Sequence, residues 1–128
     1  MTLQDRLIKE LLLENLFTLT TNRRIKEVIK LKQSFIDFID KNEDTRSDVE
    51  LRDGLRVVKL CEGEARRTDF SKLCKMAEPM INRLMALETW NARDLEFGAV
   101  CILYTKTVKQ AEFFYRKSLK ELEKYKPE

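Results

Sequence analysis

No histidine occurs among the 128 residues. Its absence removes the usual general base and the commonest metal ligand, and with them any Ser-His-Asp or Cys-His nucleophile. Glycine occurs three times and proline twice, too few for a turn-rich β fold, and the balance favours long helices over disorder. Cys61, Cys74 and Cys101 are an odd set with long spacings and no Cys-x-x-Cys pair. Neither a disulfide framework nor a zinc site is therefore expected, and the three read as reduced, buried small hydrophobes. Long apolar runs are missing too: the longest uncharged stretch covers residues 97–105, far short of the roughly 20 apolar residues of a membrane-spanning helix. The first residues lack the charged start, short apolar segment and small-residue cleavage site of a secretory signal. A cytoplasmic protein without a membrane partner is the expectation.

What the chain has in abundance is 43% hydrophobic and 37% charged residues, a mixture that suits amphipathic helices around one core. We read residues 1–128 as a single all-α domain. The net charge of +3 is too small to demand a polyanionic partner.

Apolar residues recur at helical spacing in six segments. The first, residues 3–17, presents Leu3, Leu7, Ile8, Leu11, Leu12 and Leu16; the second, residues 23–41, presents Ile25, Val28, Ile29, Phe35, Ile36 and Ile39. "TLTTN" separates them, and "KNEDTRS" reads as the next loop. Ser47 and Glu50 have capping-box spacing at the start of the third helix, which carries Leu51, Leu55, Val58 and Ala65 on one stripe and ends near Gly63. Gly54 and Gly63 each weaken that helix by about 1 kcal/mol relative to alanine. Thr68 or Asp69 caps the fourth helix, which Pro79 must kink or restart. Asn91 with Asp94 opens the fifth helix, and Thr107 with Gln110 opens the sixth, whose stripe is Val108, Ala111, Tyr115, Leu119 and Leu122. Short loops between such helices imply antiparallel neighbours stacked as hairpins, two of them spanning about residues 22–66 and 69–105. A bundle and a short tetratricopeptide-like solenoid both fit this pattern.

Leu95, Phe97, Ala99, Val100, Cys101, Ile102, Leu103 and Tyr104 surround the axis of the fifth helix, which predicts a central buried helix. Trp90 just before it reads as a hydrophobic staple on its first turn. The basic run "NRRIKEVIKLK" offers Arg23, Arg24, Lys26 and Lys30 as phosphate contacts, yet no helix-turn-helix of the usual form, ligand set or aromatic ladder accompanies it, and a solvated face explains it as well. In "MINRLM" the spacing turns Asn82 and Arg83 outward and Ile81, Leu84 and Met85 inward. With Met80, these two form the candidate site for a peptide or protein partner: an amide can clamp a peptide backbone, a guanidinium can hold a carboxylate, and a thioether adapts to varied apolar groups. No catalytic constellation, metal site or cofactor motif is present, and an enzyme is not expected.

Three segments carry a resemblance. "MINRLMALETW" ends a helix on an acidic residue and tryptophan, "ARDLEFGAVCILY" steps from polar to apolar, and "AEFFYRKSLKELEKY" is an amphipathic closing helix. In these the C-terminal half, from about residue 55, resembles the regulatory domain of the Rgg/GadR/MutR family of Gram-positive transcriptional regulators. The resemblance implies a tetratricopeptide-like solenoid that homodimerises and senses a short secreted peptide, as in quorum sensing, with DNA bound by a separate helix-turn-helix domain. Residues 1–50 show no such domain, so direct nucleic-acid binding by this chain is not expected. Peptide sensing or protein docking leads, with a structural self-association module and a nucleic-acid binder using residues 23–32 as the alternatives. Thiol titration of denatured protein under non-reducing conditions should find three free groups; one or none would contradict the cysteine reading.

Overall fold

The computed structural model describes residues 1–19 and 24–125, with only the backbone of Leu19. The chain is all-α: α1 (Leu3–Leu19), α2 (Ile25–Ile39), α3 (Glu43–Arg46), α4 (Val49–Ala65), α5 (Phe70–Ala86), α6 (Ala92–Cys101) and α7 (Val108–Leu122), with 3₁₀ turns at Ile102–Tyr104 and Glu123–Tyr125. No strand occurs among the described residues. Read above as one domain, the chain divides into two compact units, Met1–Thr68 and Asp69–Glu128.

In the first unit, side-chain pairs set the helix directions. Lys9 of α1 donates to Asp48 and Glu50 at the start of α4, at 3.0 and 2.8 Å, and Leu13, one turn on, lies beside Gly54 of α4. These two helices therefore run parallel. Between them α2 runs the other way, because Lys41 just past its end reaches Asp5 near the start of α1, and Lys32 clamps Glu62 near the end of α4 through both carboxylate oxygens at 2.9 Å. Their shared core is Leu13, Leu16, Val28, Phe35, Leu51 and Val58. Burial pulls the Lys9 ammonium down, but its bonds to Glu50 and Asp48 outweigh that and raise it above the ordinary lysine value.

Two local motifs in this unit depart from expectation. The "KNEDTRS" segment is not simply a loop: Asn42 Oδ1 accepts from Thr45 N–H at 3.0 Å, Thr45 Oγ1 accepts from Asn42 N–H at 3.1 Å, and this capping box makes the one-turn α3. Thr45 is fully buried and its hydroxyl donates to the Ile39 carbonyl at 2.9 Å. Asp48, not Ser47, caps α4, accepting from Leu51 N–H at 2.9 Å, because Ser47 already closes α3 and Glu50 is held by Lys9. The helix runs past Gly63 to Ala65 and ends in a Schellman motif, with Thr68 N–H donating to Gly63 C=O at 2.8 Å and Arg67 at φ +56° in the place where glycine is usual.

The second unit repeats the up-down-up arrangement. Arg83 near the end of α5 meets Asp94 in the first turn of α6 at 3.4 Å, and Phe70 at the start of α5 stacks on Tyr104 beyond the end of α6, centroids 6.3 Å apart. Reversal at the next corner brings Phe114 of α7 back to Trp90, centroids 5.8 Å apart. Helix α5 continues unbroken through Pro79, and Asp69 stands at its N-cap position without a side-chain hydrogen bond. The Asn91–Asp94 capping box forms as expected. Thr107 caps α7, but Gln110 reaches back to Lys106 N–H at 3.1 Å, one residue before the cap.

Several burial expectations are corrected. Helix α6 and its extension are not enclosed all round: Phe97, Gly98 and Cys101 are buried, whereas Ala99 and Leu103 are exposed. Leu3, Leu7 and Leu11 of α1 are exposed, the inner face being Leu12, Leu13 and Leu16 together with Asp5. The apolar stripe of α7 lies on its outer face; α7 buries Phe114 and Glu121.

Both cores turn on a glycine under an aromatic ring. A methyl group at Gly54 would lie 2.7 Å from Phe35 Cε1 and 2.9 Å from Leu13 Cδ2; one at Gly98 would lie 2.6 Å from Trp90 Cζ3. Trp90 is thus structural, seated on Gly98 and against Phe114. Its Nε1–H donates to Leu84 C=O at 3.0 Å, which pins the ring. We expect Gly54→Ala and Gly98→Ala each to destabilise by up to about 2 kcal/mol, overpacking of ~1–3 being set against the ~1 that alanine adds to helix propensity. Urea denaturation provides the check, and a stabilised variant would contradict the seating.

Candidate functional site

In the second unit, α5, the 3₁₀ turn after α6 and the start of α7 enclose a small cleft, open to solvent and lined by Cys74, Glu78, Ile81, Asn82, Tyr104, Lys106 and Gln110. The 3.6-residue period of α5 puts Glu78 and Asn82 one turn apart on its exposed side, while Cys74, Ile81 and Tyr104 are buried and form an apolar floor. Lys106 Nζ pairs with Glu78 at 3.0 Å and joins the two rims. Gln110 is oriented by its own capping contact, its Oε1 accepting from Lys106 N–H, which leaves its amide N–H groups without a partner among the described residues. The Asn82 amide has no partner among them either and is exposed. The Asn82 amide and the Gln110 N–H donors over an apolar floor suit the alternating donors and acceptors of a peptide backbone.

The first unit holds a smaller, apolar recess lined by Leu16, Val28, Leu31, Val58 and Cys61. Its walls carry no directional polar group beyond the Cys61 thiol. Among the described residues no group of three or more Cys, Asp or Glu side chains converges as metal ligands would, and no helix is long and apolar enough to cross a membrane.

Of the candidate partner-binding residues Met80, Asn82 and Arg83, only Asn82 lines the cleft. Ile81 and Leu84 face inward, while Met85 is 38% exposed. Arg83 is half-buried, and both terminal nitrogens of its guanidinium lie 3.4 Å from Asp94 Oδ1, so it ties α5 to α6. Met80 is fully buried and belongs to the core of this unit, a correction to its place in the candidate site. Arg24, Lys26 and Lys30 are exposed along the start of α2; Arg23 lies outside the described residues. Lys32, from the same basic run, is committed to Glu62. Gln110 was legible only as a capping residue, and nothing in the residue pattern indicated that the α7 cap would come to rest beside Glu78 and Asn82.

The corner before α6 is held by charge. Glu121, buried at the end of α7, accepts from the Trp90 backbone N–H and lies between Lys124 and Lys117, the latter also donating to Glu88 C=O. Comparison with protein-family models, curated proteins and solved structures gives no match.

Hydrogen bonding from Lys124 holds the Glu121 carboxyl below its ordinary value of 4.5 against the opposing effect of burial; Lys32 does the same for Glu62, and Lys41 lowers Asp5 below 3.8. A carboxyl depressed in the folded state stabilises it above the unfolded pKa, and that stability is lost as pH falls through the folded value. The urea midpoint should therefore be level above about pH 5 and fall steeply below about pH 4.5. Glu121→Gln should lower the midpoint at neutral pH and flatten the acid limb; an unchanged acid limb would contradict the role of Glu121.

Proposed function

We propose that the chain is a helical docking module that holds a short peptide, or an extended segment of a protein partner, in the cleft of its second unit. The observation that carries this is the Asn82 amide and the amide N–H groups of Gln110, without partners among the described residues and set over Ile81, Cys74 and Tyr104. Amide side chains on facing rims can each pair with a backbone N–H and C=O, while an apolar floor accepts one side chain of the ligand. The Glu78–Lys106 pair adds one charge of each sign at the mouth, which suits a zwitterionic chain better than a polyanion. In keeping with the resemblance of its C-terminal half, the module would act as the peptide-sensing part of a cytoplasmic transcriptional regulator, with DNA recognition left to another domain.

The test uses random peptides displayed on phage and selected on the full chain. The selected peptide should bind Asn82→Ala/Gln110→Ala about 1–3 kcal/mol more weakly than the parent, the size expected for losing two desolvated polar contacts. Asn82 is exposed and Gln110 gives up a single capping contact, so the melting temperature should fall only slightly. Equal affinity for parent and variant would remove the cleft as the binding site.

A further inference from the structure

The outward side of α7 carries two stripes with the same spacing. Val108, Ala111, Tyr115, Leu119 and Leu122 form an apolar stripe, and Lys109, Glu112, Arg116, Lys120 and Glu123 form a charged one directly beside it. Steps of three, four, four and three residues describe both, so each stripe is symmetric about its middle residue, Tyr115 in one and Arg116 in the other. The apolar members are largely open to solvent, Val108 at 85%, Tyr115 at 59%, Leu119 at 49% and Leu122 at 46%. Four large apolar side chains in line on one helix form a seam rather than scattered exposure.

We infer that a second copy of this chain docks along this face, its α7 antiparallel to the first, with the two-fold axis at Tyr115. Under that operation Val108 meets Leu122, Ala111 meets Leu119 and Tyr115 meets its own counterpart, so every layer of the seam is apolar. Because a two-fold axis perpendicular to an antiparallel pair brings the same flank of both helices together, the charged stripes also face each other in reverse order. Lys109 then meets Glu123 and Glu112 meets Lys120, each twice. Arg116 alone meets its like, and it is already held by Glu112 of its own helix. A parallel pairing, whose two-fold axis runs along the seam, would instead leave the two charged stripes on opposite sides of it, where none of these pairs forms. The charge pattern thus selects both the occupant and its direction. A helix of 15 residues offers a seam only about 20 Å long at ~1.5 Å per residue, the class of small, reversible interfaces below about 1,200 Å². The association is a concentration-dependent one.

Sedimentation of the full chain over a range of micromolar concentrations should show a monomer–dimer equilibrium. Leu119→Glu should raise the dissociation constant at least tenfold with an unchanged melting temperature. Lys109→Glu should also weaken the dimer, and adding Glu123→Lys to it should restore the parent affinity. For direction, Tyr115→Cys, in a background with the native cysteines replaced by serine or alanine and shown to fold by circular dichroism, should form a disulfide-linked dimer on mild oxidation, whereas Val108→Cys should not. A monomer at all concentrations overturns the inference. So does a Leu119→Glu variant that loses folding stability, since the face is then covered by the same chain, and so does linkage through position 108, which means parallel or non-specific pairing.

Discussion

Where Phe35 meets Gly54 and Trp90 meets Gly98, a ring occupies the space that a β-carbon would need. Each contact lets two helical segments approach more closely than any other residue at the glycine would allow, and the surrounding core is arranged around the ring. In the first unit this draws α2 and α1 onto α4, with Phe35 and Leu13 sharing the gap above Gly54. In the second it draws the corner before α6 onto α6 itself, with Phe114 of α7 closing the other side of the indole. Glycine in mid-helix costs about 1 kcal/mol in propensity, and that cost is outweighed by the burial of a large aromatic side chain.

The polar contacts work around these seats. Leu84 C=O fixes the indole through Nε1–H, Glu121 takes the Trp90 backbone N–H, and Lys117 bridges Glu121 to Glu88. Together they hold the α5–α6 corner and the end of α7 as one piece. The cleft lies further along the same three elements, and its rims are set by the start of α7 and the middle of α5. Its geometry therefore depends on how α7 is held at its far end. In the first unit Lys9, Lys32 and Lys41 do the equivalent work between helices.

Much of the local structure was legible in the residues. Helix existence followed from apolar periodicity, the Asn91–Asp94 box and the Thr107 cap from spacing, and the gap between the two expected hairpins fell where the units divide, at residue 68. What was not legible was the side from which each helix is covered. Helices α1 and α7 each carry apolar residues on two sides, and periodicity reports a stripe without saying whether a neighbour lies over it. The stripe with more apolar members was read as the inner one, yet Phe114 and Leu13 are what their neighbours touch. The glycines misled for a related reason: in a sequence a mid-helix glycine shows only its propensity cost, and its benefit exists only once a ring from elsewhere arrives. For the cleft, Asn82 was legible because its neighbours Ile81 and Leu84 mark the buried side of α5, whereas Gln110 needed the tertiary meeting of α5 and α7.

The seating of rings on glycines is most directly tested by a double-mutant cycle between Gly98→Ala and Trp90→Phe, measured by urea denaturation of the full chain. The smaller ring gives up the outer indole edge that lies against Gly98, so the two changes are coupled through that space alone, and the lost Nε1–H bond cancels in the cycle. Alanine at 98 should destabilise the parent but be neutral or stabilising in the Trp90→Phe background, a coupling of about 1 kcal/mol or more. Equal costs for alanine in both backgrounds would contradict the claim that the indole seat organises this unit.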